Sequence, residues 1–290
     1  MNLGNECRSC LFKSQSKKIK AYHDDSNKKE LFIKTIKELC ECEKENSASP
    51  LLMRKINKAH QDIFGYSIDY KEEKTKFNQL CLGYEYDIYN IINNSNDPLE
   101  MAIKFAIVGN LIDFTKLSSI DIDLLEYFKV QANNQVLNTK IYDDLKRDLS
   151  NAHTLTYLLD NCGEIVFDKL LIKTIKKMYS NIFITAVVRG SEIVNDVTYF
   201  DSYMVGLDKE CQVIDNGNDV PGTFLKEISN TCKQALDNSD VIISKGLGNF
   251  ETLHKECALN IYYLFLCKCD FFADMFNVKV WDSVLTKEKM

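Results

Sequence analysis

The chain has 290 residues, 45% of them hydrophobic and 27% charged, which is enough for a sizeable core in one large domain or two ordinary ones and excludes a disordered or fibrous protein. Lys and Arg number 36 against 42 acids, a net charge of −6, so no global basic field favours nucleic acid or an anionic membrane. No apolar run reaches the ~18 residues of a membrane span, and the opening MNLGNECRSCLFKSQSKK has charges and cysteines where a signal peptide needs an apolar stretch; the expectation is a soluble, cytoplasmic protein.

In chain order, the first feature is Cys7-Arg8-Ser9-Cys10, which belongs to an odd total of 11 cysteines. Complete internal disulfide pairing is therefore impossible, and in a reducing compartment most should be thiols packed as small hydrophobes. A second cluster, Cys267-x-Cys269, lies near the other end. A zinc site needs four ligands, and the 4 histidines offer no His-x3-His spacing. A shared structural or redox-sensitive site of Cys7, Cys10 and Cys269 stays open beside ordinary reduced thiols.

Up to about Asn151 the chain reads as helical. KKELFIKTIKELCECEKEN places Leu31, Ile33, Ile36 and Leu39 near the helical period, and the break over residues 47–50 precedes a second helix running from Pro50 toward Gly65. The segment PLEMAIKFAIVGNLI from Pro98 to Ile112 is nearly apolar all round, with Ala102, Ala106 and Gly109 as small faces. Such a helix belongs inside a domain.

From residue 151 the rhythm changes. LTYLLD, NIFITAVVRG, CQVID, DVIISKG and NIYYLFLC recur at roughly 20–30-residue spacing with helical patterns between them, as in βα units of a parallel sheet. The clearest intervening helix is GTFLKEISNTCKQALDNSD from Gly222. The expected fold class is therefore α/β, with a helical N-terminal lobe over residues 1–150 and an α/β domain over 151–290.

In open α/β sheets, ligands bind beyond the carboxyl ends of the strands. Asp160 and Asn161 follow the first apolar run. Arg189 and Gly190, then Asn195 and Asp196 at the expected start of a helix, follow the second. Asp215, Asn216 and Gly217 end the third, and Ser244, Lys245 and Gly246 the fourth, with Gly248, Asn249 and Glu251 close behind.

Each has a structural alternative. Asn161-x-x-Glu164 has capping-box spacing, Asn195 and Asp196 could start a helix, and Asp215-Asn216-Gly217 could be only a turn. Lys245 could be a surface lysine, Arg189 could pair with Glu192 or Asp196, and His153, Tyr262 and Tyr263 read better as structural residues. Taken together, the Asp160 and Asp196 carboxylates and the Asn161 carbonyl are three hard oxygen ligands suited to an octahedral divalent ion. Lys245 adds a point charge, and the backbone N–H groups of Gly246 to Asn249 at a helix start can cradle an anion. Metal, lysine and exposed amides are what a phosphoryl group requires.

DNCGEIVFD, RGSEIVNDVTYFD, VIDNGNDVPGT and SKGLGNFETL, in this order, resemble the metal-dependent damage-control phosphatase family, also known as domain of unknown function 89. The Cys7–Cys10 motif is similar to that of its stand-alone prokaryotic branch, and IDYKEEKTKFN and DPLEMAIKFAIVGNLIDF extend the resemblance over most of the chain. It implies a helical lobe packed on a Rossmann-like α/β/α sandwich with the cleft at the strand ends. The family's metal ligands map onto Asp160, Asn161 and Asp196, its phosphate-contacting lysine onto Lys245, and Asn110 and Asp113 should face the same cleft. Lys268-Cys269 is followed by Asp270 where that branch often has proline, which leaves this loop open.

The leading expectation is a hydrolase acting on phosphomonoesters of a small metabolite, a sugar phosphate or a damaged phosphometabolite. Its cofactor would be a divalent metal, Mn²⁺, Mg²⁺, Co²⁺ or Ni²⁺. Asp160, Asp196 and Lys245 would carry the catalysis, and Asn110, Asp113, Arg189, Lys245, Gly246 and Asn249 the substrate phosphate. No nucleic-acid or membrane partner is expected, and the sequence is silent on oligomeric state. The competing expectations are an S-adenosylmethionine-dependent protein carboxyl methyltransferase, which lacks support from a GxGxxG loop, and a non-catalytic protein that binds metal or a phosphometabolite.

Overall fold

The computed structural model of the chain describes residues 4–22, 25–42, 48–111 and 123–288. Asp113 lies outside the described residues. Three helices open the chain: α1 (Asn5–Lys20), α2 (Ser26–Cys42) and α3 (Ser49–Phe64). They share a small core of Ile19, Phe32, Ile36, Leu52, Ile56 and Phe64. Pro50 sits in the first turn of α3, where its missing N–H costs nothing, and Gly65 at φ 84° ends it in the left-handed conformation glycine tolerates.

Helices α4 (Lys71–Leu82), α5 (Glu85–Asn93), α6 (Pro98–Val108), α7 (Leu124–Asn134) and α8 (Thr139–Asn151) lead to the sheet. As its all-round apolarity predicts, α6 is interior: Leu99, Ala102, Ile103, Phe105, Ala106, Ile107 and Val108 are all buried. A short 3-10 turn, Gly109–Leu111, follows it. A Cβ at Gly109 would lie 2.9 Å from the Phe167 ring and 3.2 Å from the Glu164 Cα, so glycine is what allows this turn to approach the next helix so closely.

The second half alternates β1 (Thr154–Leu158), α9 (Glu164–Met178), β2 (Phe183–Val188), α10 (Tyr199–Met204), β3 (Gln212–Asp215), α11 (Asn230–Asp237), β4 (Val241–Lys245), α12 (Gly246–Leu253), β5 (Ile261–Leu266), α13 (Asp270–Phe276) and β6 (Ser283–Lys287). The sheet order is β3-β2-β1-β4-β5-β6. The first five strands pair in parallel, and β6 closes the edge antiparallel to β5. The period of two along the strands divides two cores. Tyr157, Ala186, Ile243, Tyr262 and Leu264 face the side packed by α5 to α9. Leu158, Val187, Ile242, Tyr263 and Phe265 face α11, α12 and α13. This is the expected mixed α/β fold with a mostly parallel sheet.

Three local expectations change. The helix expected from Gly222 begins only at Asn230, because Ser229 caps it through Cys232 N. The stretch before it is tied down as a loop by Thr223 N to Thr252 Oγ1, by Asn218 Nδ2 to the Glu227 carbonyl, and by a Gly222 backbone that leaves no room for a Cβ beside the Gly248 carbonyl. Asn195 and Asp196 do not start a helix; α10 begins at Tyr199, with Thr198 and Asp201 forming its capping box. Strand β6 was not anticipated, since five residues of SVLTK carry too little alternation to signal an edge strand.

Candidate functional site

At the carboxyl end of β1 the chain leaves the sheet through Leu159 and Asp160, and its partners come from β2 and β4. Leu159 N donates to the Val187 carbonyl, Val197 N to the Asp160 carbonyl (2.9 Å), and Cys162 N to the Asn195 carbonyl (2.9 Å). Asn161 and Asp196 form an isolated antiparallel bridge. Two loops that follow adjacent parallel strands are thereby stitched together, and Asp160, Asn161 and Asp196, the three expected metal ligands, meet in one place.

Asn161 does not act as the helix cap that its spacing allowed. The N-cap of α9 is Gly163 at φ 81°. The Asn161 amide instead donates to Asp160 Oδ2 (2.5 Å) and Glu164 Oε2 (3.3 Å). Asn110, from the turn after α6, donates to the same two carboxylates at 3.1 and 2.7 Å.

Arg189 leaves the end of β2 only 1% exposed. Its Nε donates to Asp196 Oδ2 at 2.6 Å, and one Nη stands 3.7 Å from Asp160 Oδ1. Of the partners the sequence allowed, the structure selects Asp196. Both Nη atoms are buried without a hydrogen-bond partner among the described residues. Unmade donors on a buried guanidinium are costly, so they mark a place where an anion oxygen fits.

Lys245 is not a surface residue: it is fully buried. Its ammonium donates to the Ala106 carbonyl (2.7 Å), to Glu164 Oε1 and to Asp168 Oδ1 (2.7 Å). An ammonium has three donors, and all three are used. Burial pushes its pKa down, but Asp168 and Glu164 outweigh that and hold it well above the usual lysine range. The lysine expected to touch phosphate thus acts, in this arrangement, beneath the site. It clamps Glu164 and Asp168, which follow one another at i and i+4 on the buried face of α9.

Gly246, at φ 79°, has the Asp160 carboxylate directly over its Cα, in the space a Cβ would fill. Asn249 is fully buried, donating to the Leu159 and Lys245 carbonyls and accepting from Thr223. It fixes the start of α12 against the end of β1 and has no polar atom to spare for a ligand. Asn216 likewise organises a loop, accepting from Gly190 N (3.0 Å) and Asn218 N (3.2 Å).

The charge balance is unequal. Asp160, Asp196, Glu164 and Asp168 are all buried, and Arg189 and Lys245 are the cations paired with them. Burial, then Glu164 and Asp196, push Asp160 up to about 8. Burial pushes Asp168 up to about 7 despite Lys245, and raises Asp196 against the pull of Arg189. Lys268 and Lys74 also pull on Asp160 and Asp196, yet both carboxylates stay raised; two carboxylates and an amide oxygen in this setting are donors that fit a divalent cation. Among the described residues no group of three or more His, Cys, Asp or Glu side chains is arranged to hold a metal; the expected set has two carboxylates, and its third donor is an amide.

Other expected residues lie elsewhere. His153 is exposed at the opposite end of β1. Tyr262 and Tyr263 are buried and donate to Asp148 and Glu288. Glu251 accepts from Ser49 N (2.9 Å), seating α3 on α12. Cys7, Cys10 and Cys269 are free thiols. Burial, then the charges of Glu251, Cys269 and Cys10, push Cys7 up to about 11.

Sequence reasoning missed Glu164 and Asp168 as members of the site, and Lys74 and Asn78 of α4 behind it. The available signal was a pair of acids four apart within the otherwise apolar face of EIVFDKLLI. Lys74 and Asn78 carried none, because only the fold brings α4 to the strand ends.

The chain matches the model of the damage-control phosphatase ARMT1-like domain over residues 4–284. It is 32% identical to an uncharacterized protein of Methanocaldococcus jannaschii over 97% of this chain and 94% of that one. It is 29% identical to a damage-control phosphatase of Archaeoglobus fulgidus over 98% of each. The crystal structure of a DUF89 family protein from Pyrococcus horikoshii superposes with a TM-score of 0.84 over 100% of both chains at 27% identity. No helix among the described residues is long and apolar enough to cross a membrane. With that family model matched over residues 4–284, the chain belongs to the damage-control phosphatase ARMT1-like domain family.

Proposed function

We propose that this protein is a metal-dependent phosphatase that hydrolyses phosphomonoesters of small, soluble metabolites in the cytoplasm. The observation that carries this reading is the Arg189 guanidinium, whose two buried Nη groups have no acceptor among the described residues although they stand beside the Asp160 and Asp196 carboxylates. An anion-seeking group and a cation-seeking group side by side, both desolvated, suit a phosphoryl group accompanied by a divalent ion.

Asp160, the Asn161 amide oxygen and Asp196 would hold the ion, which supplies Lewis-acid stabilisation of charge on the phosphoryl oxygens. Arg189 holds non-bridging oxygens through its Nη groups while its Nε keeps Asp196 in place. Asn110 and Asn161 orient Asp160 and Glu164 by donating to both. Lys245 keeps the negative charge of Glu164 and Asp168 tolerable in a buried setting. Water is the nucleophile in this reading: it gives up a proton as its oxygen bonds to phosphorus, the ester P–O bond breaks, and the departing alkoxide takes up a proton to leave as the alcohol.

The test is turnover of p-nitrophenyl phosphate, followed by a panel of sugar phosphates and nucleotides, each with Mn²⁺, Mg²⁺, Co²⁺ or Ni²⁺. Metal-dependent hydrolysis that Asp196→Ala reduces by about 10²-fold or more is expected, since it removes a charged ligand that acts on the transition state. A folded Asp196→Ala protein with full activity refutes the assignment. Saturable binding of S-adenosylmethionine without phosphate turnover would favour methyl transfer instead, and binding of metal or phosphometabolite with no turnover would favour a regulator.

A further inference from the structure

Behind the site, α4 presents two buried polar side chains that the chemistry above does not use. Lys74 Nζ stands 2.5 Å from Glu192 Oε2 and 2.8 Å from Asp201 Oδ2. Glu192 and Asp201 flank Asp196 along the chain, one on each side. Asp201 also accepts from Thr198 N and Thr198 Oγ1, both at 2.9 Å, and from Asn78 Nδ2 at 3.2 Å. Asn78 turns its other end to the neighbouring loop, where its Oδ1 accepts from Gly163 N at 2.7 Å. One face of α4 therefore grips both ligand-bearing loops: the turn just after Asp160 and Asn161, and the two flanks of Asp196.

The gripped loop is strained. Val194, between Glu192 and Asp196, has φ 46°, a left-handed conformation that a β-branched residue rarely adopts and that persists only where surrounding contacts enforce it. Burying an ammonium between carboxylates also gains little over apolar packing of similar volume. Strain held in place by a buried charge network that adds little net stability is better explained by a geometric requirement at Asp196 than by the stability of α4.

We infer that Lys74 and Asn78 are positioning residues: together they clasp the Glu192–Asp201 segment and the Gly163 turn at the separation at which Asp160, Asn161 and Asp196 can share one divalent cation. The inference rests on the metal site proposed above and assigns a task to α4 within it. Lys74 acts on Asp196 through Glu192 and Asp201, and Asn78 acts on the Asp160–Asn161 turn through Gly163 N.

The test measures Mn²⁺ affinity by electron paramagnetic resonance, using manganese chloride and full-length protein, alongside the melting temperature of the metal-free protein. Replacing a direct outer partner of a metal ligand typically weakens metal binding by about 10–100-fold; Lys74 reaches Asp196 one step further out, through Glu192 and Asp201, so a loss at the low end, about tenfold, is expected for Lys74→Met, with Lys74→Arg recovering part of it. Glu192 is 63% exposed, so Glu192→Gln should fold normally, cut one arm of the clasp and weaken Mn²⁺ by about threefold or more. A purely structural role for α4 would lower the melting temperature and leave Mn²⁺ affinity of the folded variants unchanged. Glu192→Gln and Lys74→Met both binding Mn²⁺ within about twofold of wild type overturns the inference, and if Lys74→Met does not fold, that result for Glu192→Gln overturns it alone. Wild-type protein that binds no Mn²⁺ removes the metal site itself, and the clasp with it.

Discussion

Lys245→Met separates two jobs for this lysine. In the structure its ammonium is fully buried, and it is the shared partner of Glu164, Asp168 and the Ala106 carbonyl. Methionine can fill much of the volume but leaves two buried carboxylates and a carbonyl without their donor. Breaking a buried ion pair by removing one partner costs about 3–5 kcal/mol. At about 2–3 °C per kcal/mol for a chain of this size, the melting temperature should fall by about 6–15 °C. Thermal unfolding followed by circular dichroism reads this directly. Lys245→Met/Asp168→Asn should recover part of the loss, because it removes one orphaned charge and keeps an acceptor for the buried Tyr157 hydroxyl, which donates to Asp168 Oδ1 at 2.7 Å. A lysine whose main task is to touch the substrate phosphate would give the opposite pattern: near-wild-type stability and a raised KM. A melting temperature within about 2 °C of wild type would refute the buried-clamp reasoning.

Gly246→Ala should be damaging out of proportion to a single methyl group. The residue is at φ 79° with the Asp160 carboxylate over its Cα, so alanine adds about 1–2 kcal/mol of backbone strain and displaces Asp160, and steady-state kinetics should show about a 10²-fold fall in turnover. Asp148 supplies a pH-dependent contribution: burial raises its pKa, but hydrogen bonds from Lys287, Tyr262 and Asn260 outweigh burial and hold it below the ordinary value of 3.8. A depressed folded-state pKa gives stability that is present above 3.8 and is lost as pH falls through the lower folded value. Urea midpoints should therefore drop more steeply below about pH 4 in wild type than in Asp148→Asn, and parallel curves for the two proteins would count against it.

Much of the fold was legible because it rests on local periodicity. Five β-branched runs spaced by helical segments require parallel βα units, and those runs became β1 to β5. The short edge strand β6 was not legible, because pairing with β5, rather than its own pattern, makes it a strand. The boundaries of α11 and α10 moved for a similar reason: Thr252, Asn218 and Asp201 tie down segments whose composition alone favours a helix.

Asp160, Asn161, Asp196, Arg189 and Gly246 could be nominated from sequence by a topological rule, since strand ends in a parallel sheet converge whatever their side chains are. That Lys245 points beneath the site and that Arg189 has Nη donors without an acceptor among the described residues was decided only by packing. Both are long basic residues at strand ends, and the difference is that α9 brings Glu164 and Asp168 to one and not to the other. The grip of Lys74 and Asn78 is tertiary in the same sense. Their partners lie more than 80 residues away in the chain, and no spacing rule connects charges that meet only when α4 is laid across the carboxyl ends of β1 and β2.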